Sequence, residues 1–431
     1  MGNSCSNEIN IKRKKKEKNL KDKSFTLCPL IDERKLLKEK KIISNSISCI
    51  DVIKYKNKDF ILLGFDLGKI EIYDSESLEM VVENQDEIYL NEYIRYVGQL
   101  LNEYFVVVTL TYVRIFAFYL DNPSLNDTDR QNYYNIKLLQ KIESPLKSKS
   151  NHSEDLFSKA FFFDRNLYRE YDIHERDLDK NRRKKNKNYI NKYPIDEELI
   201  IGSNKGIFIF ENYKYKQKQK RNNLTNEVSE DINQFNISSQ IEMWEKNPYL
   251  FREQITSDYI YDIKQVNFRY LAGTIKGFLC FYSMETYELV TKFSVKISED
   301  CDSVIFMLKE DILCVAGKDN ISLISVKDFE VILVTLIKKR HLITEICILP
   351  DYNILIGMQK ESTISLGEKE EYFYQYKCFH KVNMLTKSME YCILQVSSKL
   401  LTKNYSNITM RCLSDNRLVT VIDTNLIQIW K

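Results

Sequence analysis

Residues 47–82, ISCIDVIKYKNKDFILLGFDLGKIEIYDSESLEMVV, alternate short apolar runs with polar breaks. Each run is of strand length and ends in turn residues, which predicts successive β-strands. The middle pair reads as a hairpin: Phe60 to Gly64, a tight connection, then Lys69 to Tyr73. In its second strand Ile70 and Ile72 share one face, and Lys69, Glu71 and Tyr73 the other, because side chains alternate with period two. The unit returns as ELIIGSNKGIFIFE (198–211) and FRYLAGTIKGFLCFYS (268–283). All three share a G-x-x-x-G frame: Gly64/Gly68, Gly202/Gly206 and Gly273/Gly277. DILCVAGKDNISLISV (311–326) keeps Gly317 and sets Asn320 near the second position, and NILIGMQKESTISL (353–366) keeps Gly357 alone. Eight of the eleven glycines sit in these connections. That predicts turns at positive φ, which glycine adopts freely and Asn or Asp next best.

Counting from the strand before each hairpin gives seven units, starting near 47, 93, 157, 259, 302, 342 and 407. The compact units run about 40–46 residues, the period of four-stranded propeller blades. Polar insertions near 121–135, 164–195 and 212–236, rich in Asn, Lys and Asp, lengthen the others and read as surface loops. The predicted fold is all-β: a propeller of four-stranded blades, with seven suiting the length better than five. GKIEIYD (68–74) and NLIQIWK (425–431) resemble the third strand of a WD repeat, and NITMRCLSDNRLVTVIDTNLIQIWK (407–431) resembles a whole repeat cut off after that strand. The resemblance covers about 47–431 and is divergent: the chain has no Trp-Asp dipeptide, no Gly-His dipeptide and only four histidines. It implies a propeller that serves as a platform for protein partners.

Because the last unit lacks an outermost strand, an earlier segment must complete it or an edge stays open. FTLCPLI (25–31) and KKIISNS (40–46) are the two candidates. Residues 384–402 place Leu385, Met389, Cys392, Val396 and Leu400 at helical spacing; a helix inserted in the sixth unit and that unit's outer strand both remain open.

A net charge of +3 over 431 residues gives no global field for nucleic acid. The ten cysteines form no C-x-x-C pair, and several lie in apolar runs, which predicts reduced thiols in the cytosol. The first twenty residues lack the apolar core of a signal peptide. The longest uncharged apolar stretch, Phe105 to Val113, is well short of the roughly 20 residues that span a bilayer.

The sharpest functional signal is MGNSCS at residues 1–6. It fits the myristoylation pattern M-G-x-x-x-[ST], with Gly2 as the acceptor amine and Ser6 at the selective position. One myristate binds membranes only marginally, with K on the order of 10⁴ M⁻¹, so a second signal is needed. Cys5 is placed for palmitate, and IKRKKKEKNLKDK (11–23) brings Lys12, Arg13, Lys14, Lys15 and Lys16 to an anionic surface, each worth roughly 1 kcal/mol there. The expected organisation is an acylated basic tail over 1–23 and a propeller over 24–431. A second basic run, KNRRKKNKN (180–188), follows several acids in the third unit and reads as a solvated loop.

His152, His174, His341 and His380 lack metal-ligand spacing; the first two fall in polar loops and the last two beside strands. No phosphate loop, nucleophile elbow or kinase motif occurs. The reading is therefore a non-catalytic adaptor with no cofactor and no metal, holding protein partners at the cytoplasmic face of a membrane, with no nucleic acid expected. The alternative is a nuclear or RNA-associated propeller that uses its basic segments. A variant, phosphoinositide recognition as in the autophagy propellers, lacks its F/L-R-R-G string here.

Overall fold

A computed structural model describes residues 27–29, 36–43, 46–83, 92–100, 104–121, 133–145, 157–163, 198–211, 249–294 (except 268 and 276–277), 304–336 (except 310–311 and 317–319), 341–360 (except 349–353), 378–392 (except 384–387) and 408–431 (except 423). Every regular element among them is a β-strand, and the strands form seven sheets. In each sheet, strands consecutive in the chain pair antiparallel as a meander. The first strands of the blades are Ile47–Tyr55, Ile94–Gln99, Phe157–Phe163, Asp262–Gln265, Val304–Lys309, His341–Ile348 and Ile408–Cys412. These begin within a few residues of the unit starts read from the sequence. Each packs against the next in order, and Ile408–Cys412 packs against Ile47–Tyr55, so the ring closes. The fold is an all-β, seven-bladed propeller.

The blades stack through their apolar faces. Between blades seven and one lie Ile61, Leu63, Val419, Val421, Ile427 and Ile429. Between one and two lie Ile70, Ile72, Phe105 and Phe116, whose rings stack at 5.1 Å. Full burial of each such side chain contributes roughly 1.5–3 kcal/mol. The polar face predicted for Lys69–Tyr73 is buried too, because a blade is covered on both sides. It is satisfied internally: Lys69 Nζ lies 2.7 Å from Glu71 Oε1, and the Tyr73 hydroxyl donates to Glu71 Oε2 at 2.6 Å.

The glycine frame divides into two roles. Gly68 and Gly206, the second positions, have φ of +82° and +127° and make the turn as expected. The first positions Gly64, Gly202, Gly273 and Gly357 lie within strands, which corrects the turn reading for them, and at Gly64 and Gly202 the absent side chain serves packing; Gly317 lies outside the described residues. A Cβ on Gly64 would sit 2.7 Å from both Cys49 Sγ and Ile94 Cγ2, the latter on the next blade. Blade two makes the same turn without glycine: the Thr109 hydroxyl donates to Tyr112 O and accepts from Tyr112 N. A further recurrent turn joins third and fourth strands in DSESLE (74–79), SMETYE (283–288) and SVKDFE (325–330). Leu78, Tyr287 and Phe329 stand there at φ of +60°, +58° and +51°. Asp74 Oδ1, Ser283 Oγ and Ser325 Oγ accept backbone N–H groups two or three residues on. Packing of the bulky residue offsets its strained backbone, which costs about 1–3 kcal/mol.

Closure uses the N-terminal segment, with different boundaries from those expected. Leu36–Lys41 pairs antiparallel with Leu426–Trp430 and completes blade seven. It overlaps KKIISNS only at Lys40 and Lys41. Lys38 and Lys40 donate to the carbonyls of Glu76 and Leu78, which stitches this strand to blade one. From FTLCPLI, Leu27–Pro29 pairs parallel with Ser388–Cys392 as a fifth strand of blade six, and so does not close blade seven. Ser388–Cys392 is the antiparallel fourth strand of blade six, so the helical spacing of Met389 and Cys392 is overridden by tertiary pairing; residues 393–402 lie outside the described residues.

The first insertion is narrower than expected, since strands run to Asp121 and resume at Tyr133. The insertions at 164–195 and 212–236, the run 180–188, and His152 and His174 lie outside the described residues. His341 opens a strand and His380 lies inside Cys378–Asn383, paired with Ile356 and Tyr391, so neither merely flanks one.

Candidate functional site

Antiparallel order fixes the two ends of the ring. Turns between second and third strands, and the links into the next blade, share one end, here the upper end. The other turns fall at the lower end. Four large apolar side chains project from the upper end: Ile43 (94% exposed), Leu67 (58%), Tyr93 (47%) and Tyr259 (40%). The remaining exposed ones, Leu37, Met80, Leu250, Phe251, Leu289 and Val290, stand in the first two residues of fourth strands, beside the lower end. Single exposed apolar residues are ordinary. Asp66 N donates to Ser46 O at 3.0 Å and ties the Leu67 turn to the link carrying Ile43, while the rings of Tyr259 and Tyr261 lie 4.7 Å apart.

The first strands line the central channel. Where a wholly buried strand would be apolar, they present Asp51, Tyr96, Lys159, Asp262, Lys264 and Arg411, from blades one, two, three, four and seven. Arg411 Nε lies 3.4 Å from Asp51 Oδ1, and Asp51 Oδ2 accepts Gln99 N at 3.0 Å. Lys159 Nζ lies 2.9 Å from Asp262 Oδ1 and 5.4 Å from the centre of the Tyr96 ring. The Tyr96 ring folds over Gly98, where a Cβ would come within 2.3 Å of its hydroxyl. Lys264 is partly exposed, and burial followed by the nearby Lys159 charge lowers its pKa to about 8. The charges of Asp51 and Arg411 also act on it, although blade four is as far round a ring of seven as possible from blades one and seven. All these groups thus share one channel.

Burial first, and then the Asp51 carboxylate, raises the Tyr96 hydroxyl, so it stays a protonated donor. Burial likewise pushes the Cys49 thiol up to about 12, and the Cys314 thiol to about 12. Such thiols are packing groups rather than nucleophiles. Cys49, Cys280 and Cys314 form no disulfide. Among the described residues no His, Cys, Asp and Glu cluster could hold a metal ion, and no helix is long and apolar enough to cross a membrane.

The residues nominated from sequence, Gly2, Cys5, Lys12, Arg13, Lys14, Lys15 and Lys16, lie outside the described residues. Sequence reasoning missed the channel groups. Their signal is an ionisable or phenolic residue at an alternating position of successive first strands, as in CIDVI (49–53), RYVG (95–98), SKAF (158–161), DIKQ (262–265) and TMRC (409–412).

No protein-family profile matches the chain. No curated protein matches its sequence. Among solved structures the chain is similar to the crystal structure of the WD40 beta propeller domain of Doa1, at 11% sequence identity and a TM-score of 0.49, over 93% of this chain and 97% of that one.

Proposed function

We propose that this chain is a non-catalytic scaffold of WD-repeat type, held at the cytoplasmic face of a membrane by myristate on Gly2 and palmitate on Cys5. The N-terminal sequence carries the reading: an acylation pattern followed directly by a basic run with Lys12, Arg13, Lys14, Lys15 and Lys16. Each part is common alone, and membrane retention requires both.

The fold supports a division of labour. Leu27 pairs with Met389, near the lower start of the outer strand of blade six, and Leu36 begins the closing strand at the lower end. A tail joined there leaves the upper end, with Ile43, Leu67, Tyr93 and Tyr259 exposed, open to a protein partner. Residues 3–26 reach at most roughly 80 Å when extended, so the propeller is tethered rather than pressed on the bilayer.

The test is fractionation of the full chain from its own cells at low and high salt. Gly2→Ala removes the acceptor amine and moves the protein to the soluble fraction. Cys5→Ser leaves weak, salt-sensitive binding that is lost on neutralising the basic run. Retention of Gly2→Ala in the membrane fraction contradicts the lipid reading, and a nuclear wild type supports the nucleic-acid alternative instead.

A further inference from the structure

We propose that the upper end of blade one docks a segment of a protein partner in which a Lys or Arg side chain is flanked by apolar ones, a proposal that rests on the scaffold reading above. Three segments meet there: the link that carries Ile43 and Ser46, the turn 66–68, and the start of blade two. Asp66 N donates to Ser46 O at 3.0 Å, which joins the first two. A Cβ on Gly64 would come within 2.7 Å of Ile94 Cγ2, so the second strand of blade one runs against the first strand of blade two just below. From that contact both chains lead upward, one into Asp66 and Leu67, the other back into Tyr93 and Glu92. The exposed Ile43, Leu67 and Tyr93 thus stand over one blade.

The charge beside them specifies the partner. Leu67 and Tyr93 each directly follow an acid, Asp66 and Glu92. Asp66 is half-buried; its Oδ1 is shut off from water, and among the described residues nothing donates to it. Glu92 Oε1 accepts from the Thr111 hydroxyl at 2.9 Å, while Oε2 is shut off in the same way and has no donor among the described residues. Nearby cations are engaged elsewhere. Lys69 Nζ lies 2.7 Å from Glu71 Oε1. The Glu92 charge is felt at Arg114, but that guanidinium bonds Thr109 Oγ1 at 3.5 Å and lies over the Tyr112 ring. A carboxylate oxygen withdrawn from water without a donor is costly, and an arriving ammonium or guanidinium offsets that cost. Apolar residues on either side of the cation then cover Leu67 and Tyr93. An anionic bilayer is disfavoured as the occupant, because Asp66 and Glu92 repel it.

The experiment is selection of phage-displayed random dodecapeptides on the immobilised full chain, followed by fluorescence anisotropy of the enriched peptide in solution. Lys or Arg between apolar residues is the expected enrichment. Asp66→Asn, which keeps the shape of the side chain, weakens binding roughly 10- to 100-fold, the loss of one hydrogen bond to a charged group. Leu67→Ser weakens it roughly 10-fold through lost apolar burial. Replacing the basic residue of the peptide by Gln weakens it for wild type but adds little for Asp66→Asn, a coupling that a mere structural lesion would not give. Enriched peptides without a basic residue, or equal binding by wild type, Asp66→Asn and Leu67→Ser, overturn this site and leave the scaffold reading standing. Absence of any enriched peptide counts against the scaffold reading itself, and this site falls with it. Loss of co-sedimentation with phosphatidylserine vesicles in Leu67→Ser would assign the surface to a bilayer and overturn the protein partner.

Discussion

Alanine at Gly64, Gly273 and Gly206 has three different predicted outcomes, although all three positions belong to one repeated sequence frame. At Gly64 the new methyl would meet Cys49 Sγ and Ile94 Cγ2 at 2.7 Å and Val97 Cγ1 at 3.1 Å. Ile94 and Val97 are buried between blades one and two and have nowhere to retreat. Overpacking of this kind costs roughly 1–3 kcal/mol, offset by roughly 0.4–1 kcal/mol because alanine has less freedom to lose on folding. The expected net loss is about 1–2 kcal/mol. At Gly273 the nearest atoms stand at 3.6 and 3.7 Å, ordinary contact distance, so only the entropic gain remains. Gly273→Ala is expected to be neutral or slightly stabilising. At Gly206 the methyl would fall 1.6 Å from Thr256 O on a residue at φ +127°, and only movement of the strand Leu250–Thr256 relieves it. Backbone strain of about 1–3 kcal/mol adds to that clash, so this variant is the worst of the three. Urea unfolding followed by far-ultraviolet circular dichroism measures the series, with unchanged m-values as the check that midpoints report stability. Equal losses at Gly64 and Gly273, or a tolerated Gly206→Ala, would refute the assignment of a packing role to Gly64, a turning role to Gly206 and neither to Gly273.

A chain beginning at residue 47 lacks the strand Leu36–Lys41 and leaves Leu426–Trp430 as an open edge; size-exclusion chromatography should show aggregation, whereas a chain beginning at residue 31 stays monodisperse. Lys40→Met removes the bond to Leu78 O and the contact over the Tyr73 ring at 4.8 Å, and is expected to lower stability by about 1–2 kcal/mol in the same urea assay. Arg252→Ala removes the guanidinium 3.0 Å from the fully buried Glu198 carboxylate, which keeps the Tyr287 hydroxyl at 2.9 Å, and should cost about 2–4 kcal/mol, less when Glu198→Gln is added. Lys264 titrates at about 8 in the folded chain against 10.5 in the unfolded one, so between those values the unfolded chain holds the extra proton and stability rises with pH. The rise is at most about 1–3 kcal/mol after allowance for its partial exposure, and comparison of urea midpoints at pH 8 and pH 10 should show it in wild type but not in Lys264→Met.

Strand order and blade number were legible because a meander uses only local rules: period-two alternation, a turn, and a repeat of the pair. Scarcity of glycine made the frame visible. What glycine was doing there was not legible, since Gly64 and Gly68 look alike in sequence and differ only in what the neighbouring blade places beside them. The recurrent turn between third and fourth strands escaped notice because Leu78, Tyr287 and Phe329 occupy a backbone conformation usually left to glycine. The closing strand was misplaced by a few residues: LLKEKK has no apolar face to advertise it, and its pairing with Trp430 comes from the open edge it covers rather than from its own pattern. The channel groups were hidden for the reverse reason. Asp51, Lys159, Lys264 and Arg411 each look like a solvated residue on its own strand, and only the ring brings them together.

The central claim, that the propeller is a lipid-tethered platform, is tested most directly at the first residue after Met1. Intact-mass and N-terminal peptide mass spectrometry of the protein isolated from its own cells should show Met1 removed and a fourteen-carbon acyl group on the Gly2 amine, as the motif dictates. Hydroxylamine, which cleaves thioesters and spares amides, should remove a second acyl group from Cys5 only. A free or acetylated amine at that end, or a chain that continues upstream of Met1, would contradict the account.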